Sequence, residues 1–483
     1  MPISDLLVTM HRRLFLSTLA SGLLTHAQPP KPKQNIVLIL ADDLGWRDLG
    51  CYGNPNVLTP NIDRLASEGT RFTNAYAACP VCSPTRASIL TGRYPLRTGI
   101  TDWIPGRQSD PKGPITTPHT AELLQLKEVT IAELLKPAGY RSASIGKWHL
   151  GGDGFLPTDQ GFDVNVGGNH RGSPPPSGKL GASYFGPSEL PNLTLAAGEF
   201  LPERLTDAAV QFIEQSKSGP FFLYLPHYSP HTPLQAREAD IARHQQKGGG
   251  KYNATYAAMV ESVDASVGRV VDALERTGTL QNTMVVFFSD NGGLRYEGKS
   301  KSPVTNNAPL RAGKGHLYEG GVREPLIIRC PSVAKAGAVL DTPVCSIDLL
   351  PTFCQLAAVP PGRVDGVSLV GLLQGTPLKP RPLFWHYPHY SNQGGEPGSS
   401  IREGDWKLIE FHADSRTELF HLKEDPSETK NLTKRNPQVA AKMLAKLKAW
   451  RKECGAIMPT RNPNADPNWP GFGHTGEEPP TSP

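Results

Sequence analysis

The sequence carries no lysine–arginine block, no heptad pattern and no internal repeat across its 483 residues. These absences exclude a coiled coil, a solenoid and a basic arm for nucleic acid. Seven cysteines are too few and too scattered for a dense disulfide framework, and the one C-x-x-C, Cys79 to Cys82, has no second copy to complete a zinc ribbon. Their odd number leaves at least one unpaired, buried or chemically special; Cys345 with Cys354 is an open pairing. A membrane-spanning run is missing too. The apolar stretch LFLSTLASGLLTHA is too short for one, and no second follows, so stable membrane insertion is not expected.

What is present begins at that stretch. Arg12 and Arg13, a short apolar core and Ala27 at the cut point read as an export signal over residues 1–27, and RRLFL is similar to a twin-arginine signal. A linker follows over residues 28–33. The expected mature protein is exported, periplasmic or secreted. Its net charge of +5 and pI near 8.7 are too mild to imply nucleic acid but suit an anionic substrate. With 20% charged and 38% hydrophobic residues the composition is that of a soluble globular protein, and 48 glycines and 47 prolines imply many turns.

Four segments share one grammar, an apolar β-rich run that breaks into polar residues. NIVLILADD ends in Asp42 and Asp43, and SASIGKWHLG in Lys147 and His149. PFFLYLPHYSPHTP ends in His227 and His231, and TMVVFFSDNGG in Asp290 and Asn291. Continuous apolar runs suit parallel strands covered by helices on both faces. TIAELLKPAG and YAAMVESVDASVGRVVDALERTG supply helical patterns between them. In open α/β sheets ligands gather at the carboxyl ends of strands, so the four tips are expected to converge. Asp42, Asp43, Asp290 and Asn291 are all oxygen donors, a set that selects Ca²⁺ or Mg²⁺ over zinc.

CPVCSPTRASILTGR, from Cys79 to Arg93, raises a different possibility. Ser83 reads as a helix cap, Pro84 as a first-turn residue and Gly92 as the stop, which sets Cys82 at the positive end of a helix, a place for anions. A redox Cys79–Cys82 pair would call for a small thioredoxin-like unit that the chain does not offer.

C-x-P-x-R followed by Leu90-Thr91-Gly92-Arg93 resembles the signature of the formylglycine-dependent sulfatases. NIVLILADDLGW, GKWHLG, HTPL, FFSDNGG and GKGHLYEGGVREP look like that family's blocks, in its order. IREGDWKLI and ELFHLKEDPSETKNL are similar to its small C-terminal domain. The resemblance implies an alkaline-phosphatase-like α/β sandwich, a large, mostly parallel mixed sheet between helices, over residues 34–372. A small C-terminal α+β domain with an antiparallel sheet is expected over residues 373–455, and a Pro-rich surface tail over 456–483. It further implies that a separate maturation enzyme oxidises Cys82 to Cα-formylglycine, whose hydrate is the nucleophile, and that residue 82 joins Asp42, Asp43, Asp290 and Asn291 around the cation. By family position Arg86 holds residue 82 and a metal-bound aspartate, and Lys147 and Lys314 bind the sulfate. His149 is the base, and His231, with Lys314, protonates the leaving alcohol.

The reaction so implied is hydrolysis of a sulfate ester of a small molecule or glycan. The rivals are a phosphonate or phosphodiester hydrolase using the same modified cysteine, and a non-catalytic glycan-binding protein, which would have no need for all six of Cys82, Arg86, Lys147, His149, His231 and Lys314. His227 reads as structural and Arg47 as part of a substrate rim. TDWIPGRQSDPKGPITTPHT and GGNHRGSPPPSGKLGASYFG are expected to shape the pocket. Asn192, Asn253 and Asn431 begin Asn-x-Thr sequons, which count only in a glycosylating host.

Overall fold

The computed structural model describes residues 33–469 except 180, 249, 251 and 297–302. The expected export signal, the linker up to residue 32 and the tail from residue 470 lie outside the described residues.

The apolar runs become the strands of a nine-stranded sheet. In chain order these are β1 (Asn35–Ala41), β2 (Thr70–Tyr76), β3 (Arg141–Ile145), β4 (Val164–Val166), β5 (Phe221–Pro226), β6 (Thr283–Ser289), β7 (Arg323–Arg329), β8 (Ala338–Leu340) and β9 (Val344–Cys345). Their spatial order is β8-β2-β7-β6-β1-β5-β3-β4, with β9 on the end of β2. Every pairing is parallel except those of β7, which runs against both neighbours. All of β1 is buried because both its faces are covered. Val37, Ile39 and Ala41 meet helices α1 (Pro60–Glu68), α4 (Leu201–Ser216) and α6 (Ala254–Arg276). Ile36, Leu38 and Leu40 meet α2 (Cys82–Thr91), α3 (Ile131–Leu135) and α7 (Leu349–Leu356) on the other side. The period of two along a strand thus divides one apolar run between two helix layers. A further helix, α5 (Glu238–Gly248), precedes α6.

The parallel register aligns the polar tips. Leu40 pairs with Pro226 and Ala41 with Ser289, while Ser144 pairs with Tyr224. Beyond the strands, backbone bonds continue the alignment. Asp290 N donates to Ala41 O, His227 N to Leu40 O, and Lys147 N to Pro226 O.

A second sheet, antiparallel, holds β10 (Leu383–Tyr387), β11 (Gly398–Glu403), β12 (Trp406–Phe411) and β13 (Thr417–His421), backed by helix α8 (Pro437–Glu453). Its junction with the large sheet is partly apolar: Trp385 sits edge-on to Tyr76 and donates to Ala77 O. It is also ionic. Lys407 Nζ, fully buried, lies 2.9 Å from Glu319 Oε1 and 3.0 Å from Glu428 Oε1. Burial drives the Glu319 carboxyl up, but Lys407, Arg402 and Arg323 hold it down at about 2, whereas burial lifts Glu428 to about 7. The start of the Pro-rich tail is docked: Thr460–Arg461 pairs antiparallel with Ile115–Thr116, and Trp469 Nε1 donates to Asp110 Oδ2.

Two sequence expectations change. Helix α2 starts at Cys82 with Val81 as its cap residue, so Ser83 lies inside the first turn, where its Oγ accepts from Ile104 N. Gly92 does end the helix, with φ +65° and its N–H on Ser88 O. Cys345 and Cys354 are free thiols, each buried on its own element. Removing Lys407 leaves two buried carboxylates without their shared cation, so Lys407→Met is expected to lower stability by about 3–5 kcal/mol. Denaturant midpoints of the two proteins check this, and an unchanged midpoint contradicts it.

Candidate active site

Arg86 enters the carboxyl edge of the sheet from the first turns of α2 and has no exposed surface. Its Nε and Nη2 donate to Asp290 Oδ2 at 2.9 and 2.7 Å, and its Nη1 to Lys147 O at 2.8 Å. Nη2 also lies 3.7 Å from Asp42 Oδ2. One planar group therefore ties the tips of β1, β3 and β6 to the helix that carries Cys82. Lys147 Nζ donates to Asp42 Oδ2 at 2.5 Å, and Lys314 Nζ to Asp43 Oδ2 at 2.7 Å. Asn291 Nδ2 donates to Asp43 Oδ1, and Asp43 N to Asp290 Oδ1. Asp43 and His149 both hold positive φ, +65° and +59°, a strained conformation for such residues that packing around them must maintain.

The donor set fits a hard divalent cation. Asp42 Oδ1 and Asn291 Oδ1 are buried and have no hydrogen-bond partner, an expensive state for oxygen atoms that a cation would relieve. Asp42, Asp43 and His231 place ligand atoms within 4.8 Å of one another. Burial lifts the Asp42 carboxyl to about 8 despite Lys147 beside it. Burial acts on Asp43 as well, but Lys314, His231 and Lys147 hold it at about 2. Arg86, Lys147 and Lys314 balance Asp42, Asp43 and Asp290, and a divalent cation would leave the site positive, ready for an anion.

The two histidines are oriented by backbone carbonyls. His149 Nε2 lies 2.7 Å from Ile104 O, and its Nδ1 lies 3.4 Å from Cys82 Sγ. His231 Nδ1 lies 2.7 Å from Thr232 O, and its Nε2 is 3.7 Å from Asp43 Oδ2. Carbonyls only accept, so each ring carries its proton on the carbonyl side and turns a lone pair toward the site. Burial, with Lys147 beside it, pushes His149 well below the usual histidine range. Burial and Lys314 push His231 down to about 3. Burial raises the Cys82 thiol.

Asp42, Asp43, Lys147, His149, His231, Asp290 and Asn291 thus meet, and Lys314 joins them because Lys314 N bonds Gly293 O and Gly315 N bonds Pro80 O. His227 does not: it is buried, both ring nitrogens lack partners, and burial takes it down to about 4. Arg47 lines a separate cavity of about 380 Å³ with Asp48, Asn54, Tyr252 and Thr305. Asp48 is internal, accepting from Gly45 N, Tyr256 OH and Thr305 Oγ1. The sequon residues have structural work: Asn253 caps α6, and Asn192 Nδ2 donates to Asn165 O. Sequence reasoning missed the Ile104 carbonyl, which no side chain announces. It also missed Gly172, where a Cβ would stand 2.3 Å from His149 Cε1, so only glycine lets that loop lie against the ring. Glu324, within the block GKGHLYEGGVREP, was passed over too; it is buried and neither carboxyl oxygen has a partner.

The family model described as Sulfatase matches residues 34–359. The chain belongs to the sulfatase family. A second model, N-sulphoglucosamine sulphohydrolase, C-terminal, matches residues 312–453 of this sulfatase. Arylsulfatase A of Homo sapiens is 34% identical over 465 residues, covering 87% of this chain and 86% of the relative. A sulfatase of Formosa agariphila is 35% identical over 517 residues, with 89% and 92% covered. Among solved structures, Ps i-CgsB in complex with k-i-k-neocarrahexaose superposes with a TM-score of 0.74 at 32% identity, covering 90% of this chain and 94% of that one. The enzyme is accordingly a sulfuric ester hydrolase. Its mixed sheet between helix layers and smaller antiparallel sheet agree with the architecture expected from the sequence.

Glu324 gives the sulfatase a pH signature. Burial, then the charges of Asp290, Asp48, Asp43 and Glu319, raise its carboxyl well above the ordinary 4.5. A raised folded-state pKa means the folded protein holds the proton longer, so stability is full at low pH and falls as pH rises from 4.5 through the folded value. Glu324→Gln should lose this slope, becoming more stable relative to wild type at pH 8 than at pH 5, as read from urea midpoints. Parallel pH profiles for both proteins contradict it.

Proposed function

We propose that this sulfatase is exported to the periplasm or medium, where it removes sulfate from a sulfated carbohydrate. Residue 82 acts as Cα-formylglycine, installed by a separate maturation enzyme, and Asp42, Asp43, Asp290, Asn291 and residue 82 hold Ca²⁺ or Mg²⁺. The observation that carries the reading is Cys82 itself. Its sulfur points at a neutral imidazole among three cations, yet burial keeps its thiol protonated, and a protonated thiol is a poor nucleophile. Oxidation of that position to an aldehyde accounts for the surrounding machinery. The neocarrahexaose in the Ps i-CgsB complex supports a carbohydrate as substrate, as does the site's positive character once a cation is counted. The charged start of residues 1–27 supports export.

When bound, the cation polarises the sulfate and favours an ionised oxygen at residue 82. The chain's own groups do the rest. Lys147 and Lys314 offer ammonium donors to the sulfate oxygens. His149 accepts a proton at Nδ1, the nitrogen facing residue 82. His231 Nε2 relays a proton toward the departing alcohol, one that the neutral free ring does not itself carry. Because burial, with Lys314 beside it, holds the free His231 ring neutral, Lys314 Nζ, on the same Asp43 oxygen, shares that task. Arg86 keeps Asp290 and the Lys147 segment in register throughout.

The test is mass spectrometry of the tryptic peptide Phe72–Arg86 together with sulfate release from sulfated mono- and disaccharides. The peptide should be lighter by the thiol-to-aldehyde change, and at least one sulfated sugar should release sulfate. Full activity with an unmodified thiol would sink the mechanism, and activity confined to aryl sulfates would sink the carbohydrate assignment. Chelation should abolish turnover and Ca²⁺ or Mg²⁺ restore it, with Asp290→Ala losing activity while remaining folded. A requirement for zinc alone would contradict the donor assignment.

A further inference from the structure

The turn that presents the Ile104 carbonyl to His149 is itself closed by a buried carboxylate which the mechanism does not use. Asp102 has no exposed surface. Its Oδ1 accepts from Trp103 N and from Tyr387 OH, both at 2.9 Å, and its Oδ2 accepts from Arg107 N at 3.2 Å. The carboxylate therefore closes the turn Trp103–Arg107 from within and fixes Ile104 in its middle. The turn is indexed to helix α2, since Ile104 N donates to Ser83 Oγ, one residue beyond Cys82. Thr120 Oγ1 accepts from the amides of Thr101 and Asp102 and holds the strand of chain that enters the turn. On the far side, Tyr387 is the last residue of β10 in the antiparallel sheet and is wholly buried.

We propose that Asp102, anchored by Tyr387, is a positioning residue that sets the tautomer and tilt of His149 through the Ile104 carbonyl. The proposal rests on the reading of His149 as the base. The ring has two exchangeable sites and only one useful arrangement, with the proton on Nε2 and the lone pair at Nδ1 toward residue 82. A neutral imidazole free of its carbonyl would divide between two tautomers, and the molecules in the Nδ1–H form would present an N–H where an acceptor is needed. The backbone at Gly172 walls off the ring's face, and His149 is held at positive φ. What is left to decide the tautomer is where the Ile104 oxygen stands. Two turn amides on one carboxylate, which Tyr387 anchors in turn, place it there, and none of these groups is in the proposed catalytic set.

A purely structural Asp102 would affect folding alone; a positioning Asp102 moves the proton on His149. The measurement is the ¹⁵N imidazole NMR of His149 in wild type, Asp102→Ala and Tyr387→Phe, made on the whole protein with steady-state kinetics on nitrophenyl sulfate alongside. Wild type should show the Nε2–H tautomer alone. Asp102→Ala should show both tautomers and lose about tenfold to a hundredfold in kcat with little change in KM, the scale expected for a misplaced catalytic group. Tyr387→Phe, which keeps the ring and its packing, should shift both readouts the same way by less, and it carries the test if the alanine variant does not fold. An Nδ1–H tautomer in wild type, or an unchanged tautomer in the folded variants, overturns the positioning role. Wild-type turnover by His149→Gln overturns instead the base assignment beneath it.

Discussion

A guanidinium sealed from water is tolerable only where carboxylates answer it, and Arg86 meets that condition through Asp290 and Asp42. The reverse dependence is as strong. Without Arg86, three buried carboxylates would crowd the edge of the sheet with two lysines between them. Because two of its nitrogens meet Asp290 while the third meets the Lys147 carbonyl, the neutralising interaction is also the one that sets relative position. The tips of β1, β3 and β6 and the start of α2 are fixed by one rigid fork, and His149, Lys147 and residue 82 inherit their geometry from it.

The antiparallel sheet has a part in this although it contributes none of the proposed catalytic groups. It reaches the centre along two paths. Through Lys407 and Glu428 it holds Glu319, and Gly320 N bonds Arg311 O at the other end of the loop that carries Lys314. Through Tyr387 and Asp102 it reaches the turn beside His149. One path is ionic and buried, the other a chain of neutral and charge-assisted hydrogen bonds. Lys314 and His149 thus share a common foundation more than 60 residues further along the sequence from Glu319.

The sequence disclosed the site wherever a regular period carried a polar residue to a strand end. Asp42, Asp43, Lys147, His149, His227, His231, Asp290 and Asn291 all sit at or just beyond strand ends for that reason, and parallel pairing could then bring them together. The period alone does not reveal which tip residue turns inward; family position sets His231 apart from His227, and only His231 approaches Asp43. Other features have no linear signal. Ile104 contributes a backbone oxygen, and Gly172 contributes the absence of a Cβ. Asp102 has its partner Tyr387 285 residues away. Ser83 misled because capping preferences are measured at exposed helix ends, whereas every residue of α2 is buried and the hydroxyl had a nearer donor in Ile104 N.

The centre of the sheet joins residues made at very different times. Asp43 and Asn291 touch across 248 residues, which a ribosome adds in about 12–50 s at about 5–20 residues per second. Strand β1 cannot acquire its β6 neighbour before then, and Asp290, the main partner of Arg86, does not yet exist. Throughout that interval Arg86 on α2 lacks its closest carboxylate and Cys82 its finished enclosure. The burial of Cys82 in the completed fold is therefore finished only once the late strand has been made.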